Sequence, residues 1–255
     1  MHKHERHQLI LQQVARRGFV RMDTLQSKTG ASLPTVRRDV NELARLGELE
    51  HCHGGVRKIP AKQLRGVAFE YGSTVHQKEK RAIARAAAAM CSDGESIIIN
   101  GGTTTFQMVN FLQTLRLDVL TNSLPIANFL FEHSVSRLHI PGGEIYRDQH
   151  LILSPFEDDT IKNFNATRMF IGAQAVSKKG VLEVDPRLIQ SELKLMGQAD
   201  ELVLCVDSKK FNLGGSLILA PVERFDTVIT DTGIHQADLR FLKDKGIKVI
   251  LAPVE

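Results

Sequence analysis

Apolar positions recur through the first part of the chain at the spacing of short helices. Leu9, Ile10 and Val14 share one face of His4–Arg17, a stretch that stops at Gly18. Phe19 and Val20 form a short apolar link, and Met22–Thr29 reads as a second short helix ending at Gly30. Ser32 caps a third helix with Pro34 near its start, whose inward stripe is Leu33, Val36, Val40, Leu43 and Leu46 before Gly47. Glu48–His51 and Val56–Ile59 then flank Gly54-Gly55, which predicts a two-stranded wing with a permissive turn.

Periodicity is lost from Arg57 to His76, where Pro60, Gly66, Gly72 and isolated charges alternate. The pattern therefore predicts a small domain over residues 1–58, a linker over 59–76 and a second domain over 77–255. That domain opens with an Ala-rich helix, Gln77–Met90. Strands at Ser96–Asn100, Asp118–Thr121 and Arg137–Pro141 alternate with helices at Thr105–Leu115 and Pro125–Phe131. The alternation resumes with Met169–Gly172, Leu188–Met196, Glu201–Val206, Thr227–Thr230, Gln236–Lys245 and Lys248–Leu251. This is an α/β domain with a largely parallel sheet covered on both faces.

Composition agrees with a soluble globular chain: 42% of residues are hydrophobic and 24% charged. No stretch approaches the ~18 apolar residues of a membrane span, and Met1–Arg6 is polar, so neither export nor membrane association is expected. Cys52, Cys91 and Cys205 are odd in number and far apart, which argues against a disulfide framework and fits a reducing cytoplasm.

Charge changes the picture more. Met1–Pro60 holds eleven of the 33 Lys/Arg but six of the 29 Asp/Glu, along with five of the ten histidines. The cationic surplus is N-terminal, and a polyanion is its natural partner. Helix, Gly-containing turn and helix is the helix-turn-helix arrangement, and the outward residues of its last helix are Thr35, Arg37, Arg38, Asn41 and Arg45. Arg can take guanine bidentately, Asn can take adenine, and either can hold a phosphate. One of Arg37 and Arg38 is expected to read a base and the other to clamp a phosphate. His51-Cys52-His53 makes a poor metal site, because alternate strand residues point to opposite faces and a fourth ligand is missing.

Thr35-Val36-Arg37-Arg38-Asp39, Leu43, Gly47 and His53-Gly54-Gly55 resemble the signature of the DeoR family of bacterial transcriptional regulators. The resemblance covers nearly the whole chain and implies a winged helix-turn-helix joined to a sugar-phosphate sensor. It implies operator DNA as a partner, read by Ser32, Thr35, Arg37, Arg38, Asn41 and Arg45 with His51, His53, Gly54 and Gly55 of the wing, and assembly as a homodimer or homotetramer. His51 stands where the family usually has Arg, which makes the wing's phosphate contact weaker or pH-sensitive.

In the second domain, small polar residues gather at strand carboxyl ends, where parallel sheets bind ligands. Ile98-Ile99-Asn100 runs into Gly101-Gly102-Thr103-Thr104-Thr105 and a helix, so backbone N–H groups and hydroxyls are offered to a phosphate. Thr121-Asn122-Ser123 ends the next strand and Pro141-Gly142-Gly143-Glu144 the third. The dinucleotide spacing G-x-G-x-x-G and a P-loop are both lacking, and no cofactor or metal is expected.

These segments, with Phe170-Ile171-Gly172, Asp207-Ser208-Lys209-Lys210-Phe211 and Ile229-Thr230-Asp231, resemble the family's sensor domain, whose fold is similar to ribose-5-phosphate isomerase and CoA-transferases. Asn100 stands where many members have Asp, which removes a negative charge beside the phosphate. Lys210 matches a family lysine and is the cationic candidate for the phosphate, with Lys194 second. Asn122-Ser123-Leu124-Pro125 and Leu153-Ser154-Pro155 look like the subgroup that controls ascorbate utilisation, which points to a sugar-acid phosphate. The rival function is a sugar-phosphate isomerase. Similar isomerases carry Asp-Gly-Ala-Asp-Glu in the loop that resembles Phe170–Val176, and here those carboxylates are gone, so the pocket is expected to bind without turnover.

Overall fold

The computed structural model describes residues 2–45, 49–52, 54–57 and 68–254. The chain divides into two compact units, Met1–Gly72 and Ser73–Glu255, a boundary inside the expected linker. That linker is not wholly irregular, because its end holds helix Ala68–Thr74.

The first unit contains helices α1 (Lys3–Arg17), α2 (Met22–Thr29) and α3 (Leu33–Arg45) with strands β1 (Phe19–Arg21), β2 (Glu50–Cys52) and β3 (Gly55–Arg57). Gly30 adopts the left-handed conformation (φ 66°) that closes α2, as a helix stop requires. Ile10, Val14, Leu25, Val36, Val40 and Leu43 form the core between the helices, joined by Val20, Leu49 and Val56 from the strands. Leu46 of the expected stripe lies outside the described residues.

The wing corrects the sequence expectation. Its sheet has three antiparallel strands in the order β1-β3-β2, because the apolar link Phe19–Arg21 pairs with β3. An extended segment whose middle residue, Val20, is buried satisfies its backbone by entering the ladder. Gly55 permits this. A Cβ there would lie 2.3 Å from the Val20 carbonyl oxygen and 2.9 Å from the Phe19 ring.

The second unit begins its regular structure with α5 (Gln77–Ala88), the helix Ala68–Thr74 being α4. A seven-stranded sheet is built from β4 (Ser96–Ile99), β5 (Asp118–Thr121), β6 (Arg137–His139), β9 (Ala166–Ile171), β12 (Ala199–Cys205), β14 (Thr227–Asp231) and β15 (Lys248–Ala252). The order is β15-β14-β12-β9-β4-β5-β6 and every neighbouring pair is parallel.

Strand alternation sorts the apolar residues into two cores, one on each face. Ile98, Leu120, Met169, Leu204 and Val228 face α9 (Pro186–Met196) and α10 (Gln236–Asp244) through Leu195, Met196, Leu239 and Leu242. Ile97, Ile99, Val119, Phe170, Val203 and Ile229 face α5, α6 (Thr103–Phe106), α7 (Val109–Leu112) and α8 (Leu124–His133). The single helix expected over Thr105–Leu115 is thus two short helices interrupted at Gln107–Met108.

Two smaller sheets complete the unit. The hairpin β7 (Glu144–Tyr146) and β8 (Leu151–Leu153) follows β6, and β10 (Ala175–Ser177), β11 (Gly180–Glu183) and β13 (Leu217–Ala220) form an antiparallel trio.

Candidate functional site

In the first unit α3 presents Arg37, Arg38 and Asn41 to solvent. Among the described residues neither arginine has an ion-pair partner, which leaves both guanidinium groups available to an anion. Thr35 is half-buried and its hydroxyl lies 2.8 Å from that of Ser32 at the helix start. Arg45 closes the helix, and His53 lies outside the described residues.

His51, expected at a DNA phosphate, meets Asn41 within the chain. Its Nε2 lies 2.7 Å from Asn41 Oδ1, so the wing braces the outward face of α3. When the ring nitrogen donates, the Asn41 carbonyl is engaged and its NH2 group is left to reach an acceptor. Gly54 makes the wing turn with φ 78°, and Gly55 is buried against β1, so the Gly-Gly pair shapes backbone.

The motif residue Asp39 has an inward role that the sequence did not reveal. Its carboxylate is 2% exposed and accepts from Arg6 Nε at 2.7 Å and Arg6 Nη2 at 3.2 Å. His7 Nε2 is 3.3 Å away. This two-pronged pairing ties α1 to α3 and sets the pose of the arginine-bearing helix.

In the second unit the strand ends after β4, β5, β12 and β14 hold a set of buried polar side chains. Asn100 ends β4, and its Nδ2 donates to Glu192 Oε1 of α9 at 3.0 Å. Asn122 follows β5, and its Oδ1 accepts from the Gly101 amide at 3.0 Å. Gly101 lies close under the hairpin: a Cβ there would lie 1.9 Å from Leu151 Cδ2, so the Leu151 side chain would have to move. That hairpin is held over the β5 end by hydrogen bonds from Ile152 N to Asn122 O and from Leu124 N to His150 O.

Several of these groups are only half used. Asn100 Oδ1, Asn122 Nδ2, Ser191 Oγ, Glu192 Oε2, Asp207 Oδ2 and Thr230 Oγ1 are buried without a protein hydrogen-bond partner. Buried polar atoms in native structures are normally paired, so six at one end of a sheet mark a place built to meet polar groups from elsewhere.

Two lysines accompany them. Asp207 caps the turn Ser208–Lys210, which carries Lys210. Lys80, on α5, is 3% exposed, and burial lowers its pKa to about 8 against the opposing pull of Asp207. Burial also raises the carboxyls of Glu183 and Glu192. For Glu192 the charge of Glu183 adds to the rise and the Asn100 hydrogen bond opposes it, leaving the value well above the usual range.

Other expected ligand residues also make contacts within the scaffold. Thr121 Oγ1 donates to Ile99 O at 2.7 Å and accepts from Ser123 N at 3.1 Å, while Ser123 Oγ caps α8. Lys194 Nζ pairs with Asp159 Oδ2 at 2.5 Å and with the Phe156 carbonyl, which fastens the segment around them to α9. Gly142 and Gly143 lead into the hairpin. Gly143, at φ 153°, lies so close to β8 that a Cβ would be 2.1 Å from Leu153 O. Gly102, Thr103 and Thr104 open α6, whose first N–H groups have no acceptor within the helix.

Residues 6–61 match the DeoR-like helix-turn-helix domain and residues 75–232 match the DeoR C terminal sensor domain. The chain belongs to the DeoR family. It is a DNA-binding helix-turn-helix transcriptional regulator with a sensor domain, and not an enzyme. It is similar to the HTH-type transcriptional regulator UlaR of Shigella dysenteriae serotype 1 (strain Sd197), with 27% identity over 246 residues, 96% of this chain and 98% of the relative. The UlaR of Escherichia coli O1:K1 / APEC matches to the same extent, 27% over 96% of this chain and 98% of its own.

Among solved structures, ribose 5-phosphate isomerase A from Methanocaldococcus jannaschii matches with TM-score 0.38 and 16% identity over 52% of this chain and 53% of its own. eIF2B beta from Chaetomium thermophilum matches with TM-score 0.43 and 12% identity over 88% of this chain and 76% of its own.

The DeoR sensor corrects one premise drawn from the sequence. Carboxylates are lacking from the Phe170–Val176 loop, yet Glu183, Glu192 and Asp207 reach the strand ends from other segments. Lys80 and Glu192 left a readable trace. Lys80 shares the inward stripe of α5 with Ile83, Ala84 and Ala87, and Glu192 shares that of α9 with Leu188, Leu195 and Met196. A charge on an apolar stripe is the signal. Ser191 and Thr230 left none.

Proposed function

We propose that this DeoR-family regulator represses a carbohydrate-utilisation operon in the cytoplasm and is released from operator DNA by a phosphorylated sugar or sugar acid bound at the strand ends of its sensor domain. The observation that carries this reading is the group of six buried, unpartnered polar atoms beside Lys80 and Lys210. The phosphate is assigned to the N–H groups and hydroxyls of Gly102, Thr103 and Thr104, with Lys210 supplying charge. Asn100, Asn122, Glu192, Asp207 and Thr230 then meet the sugar oxygens.

On the DNA side, Arg37, Arg38 and Asn41 address the major groove and backbone, with the wing beside them. A homodimer or homotetramer would supply the paired recognition helices that a two-fold operator needs. A ligand alters DNA affinity only through its unequal affinity for two states of the protein, so release requires that the effector favour the state that binds operator poorly.

The test is a thermal-shift screen of sugar phosphates against the full chain, followed by operator titration. A true effector at 100 times its dissociation constant adds about 2.7 kcal/mol of stability and weakens operator binding. A screen in which no sugar phosphate or sugar-acid phosphate shifts the sensor transition would overturn the reading.

A further inference from the structure

The wing reaches the outward face of α3 at one amide. Asn41 lies three and four residues beyond Arg38 and Arg37, all three are exposed, and side chains so spaced are neighbours on a helix surface. In the wing, His51 of β2 stands opposite Val56 of β3, and residues opposite each other in an antiparallel pair point to the same side of the sheet. Val56 is buried in the core with Val36 and Val40 of α3. The pleat therefore turns His51 toward α3 as well. Because β2 is an edge strand, the ring extends past the core to the outer side of the helix, where its Nε2 meets Asn41 Oδ1 at 2.7 Å. Glu50 and Arg57, joined at 3.0 Å, fasten β2 to β3 beside it.

An amide has two unlike ends, an acceptor oxygen and a donor NH2, and the end that faces a base decides what is recognised. Adenine is taken bidentately by an amide that offers both, the oxygen to N6–H and the NH2 to N7, whereas guanine presents two acceptors, N7 and O6. We propose that His51 is a positioning residue of the DNA reader: it donates Nε2–H to the Asn41 oxygen and turns the amide NH2 toward the groove, which makes Asn41 a reader of guanine acceptors. The proposal rests on the reading above in which Asn41 addresses the major groove, and narrows it to one base pair. The opposite arrangement, with NH2 against a bare ring nitrogen, sends the oxygen outward and selects a base donor.

The experiment uses the full chain and its Asn41→Ala, His51→Phe and His51→Gln variants. Each selects duplexes from a randomised pool, and fluorescence anisotropy then gives affinities for the selected operator and its single-pair variants. Asn41→Ala should relax one pair of each half-site. There the wild type should favour G·C over A·T by about tenfold, and 7-deazaguanine, which lacks the N7 acceptor, should weaken the wild type more than Asn41→Ala. His51→Phe keeps a ring and removes the nitrogens, and it should narrow the preference at that pair to within about threefold while the other positions stay selective. His51→Gln returns an N–H donor and should restore most of the preference.

An A·T preference at the Asn41 pair overturns the proposal, as does a wild type indifferent to 7-deazaguanine there. A His51→Phe that weakens all operators alike and keeps the G·C preference shows a phosphate contact or a merely structural side chain, and overturns it too. So does a His51→Gln as relaxed as His51→Phe. Relaxation by Asn41→Ala without any by His51→Phe leaves the groove reading of Asn41 standing and removes only this inference. An Asn41→Ala that relaxes no pair takes Asn41 out of the groove, and both fall together.

Discussion

Asp39 offers the sharpest test of how the DNA-binding unit is held together. Asp39→Ala would remove the two hydrogen bonds, at 2.7 and 3.2 Å, by which Arg6 of α1 holds α3. Hydrogen bonds to a charged group contribute about 1.5–3 kcal/mol, which is the loss expected at the Asp39 carboxylate, 2% exposed. A unit of about 60 residues has roughly 3–9 kcal/mol of stability in total, so the loss is a large part of it. At about 4–8 °C per kcal/mol, its melting point should fall by about 6–24 °C.

The pH dependence gives a second handle on the same carboxylate. Burial works to raise the Asp39 pKa, but the hydrogen bonds and charge of Arg6, with His7, outweigh it and leave the value below that of a free aspartate. A depressed folded pKa contributes stability that is fully present above the unfolded value, about 4, and is lost as pH falls through the folded one. The gap between wild type and Asp39→Ala should therefore shrink below pH ~4. Urea and thermal melts of the full chain would follow the N-terminal transition, with effector titration reporting the sensor. An N-terminal midpoint within about 3 °C of wild type, or a gap that is the same at pH 3.5 and 7, would refute the argument.

Replacing the base-reading member of Arg37 and Arg38 by Ala should cost about 1–3 kcal/mol of operator affinity and relax one position, whereas loss of the phosphate clamp should weaken all sequences alike. Unchanged binding in both single variants, measured by fluorescence anisotropy on labelled operator, would remove the assignment. Thr103→Asp places a carboxylate at the opening of α6 on a half-exposed residue, so it should repel the phosphate, spare the fold and leave operator complexes that no longer respond to effector. A normal response there moves the phosphate elsewhere. Gly55→Ala forces a methyl to within 2.3 Å of the Val20 carbonyl oxygen, and should lower the N-terminal melting point by the equivalent of about 1–3 kcal/mol while leaving the sensor transition in place. An N-terminal unit as stable as wild type would show that β1 and β3 do not pack so closely.

Helical stripes, Gly stops and the alternation of apolar strands with helices are local patterns, and they sufficed for the two-unit order, the three N-terminal helices and the parallel α/β sheet. The basic outward face of α3 was legible for the same reason, since periodicity says which residues cannot face the core. What lay beyond reach was set by contacts between distant segments. Phe19–Arg21 became a strand only because β3 arrives beside it, and Asp39 is inward only because Arg6 crosses from α1. His51 looked free for a phosphate until the wing folded against Asn41.

At the strand ends the division is clearest. Asn100, Asn122 and the Gly101–Thr104 loop announced themselves as polar residues closing apolar strands. Thr121, Ser123 and Lys194 were named beside them, and only the structure gives the hydrogen bonds each makes to Ile99, α8 and Asp159. Glu183, Glu192, Asp207 and Lys80 come from four separate segments. A sequence lists such residues one after another, whereas the coupling that shifts their charges falls off over a few ångströms and exists only once the sheet has brought them together.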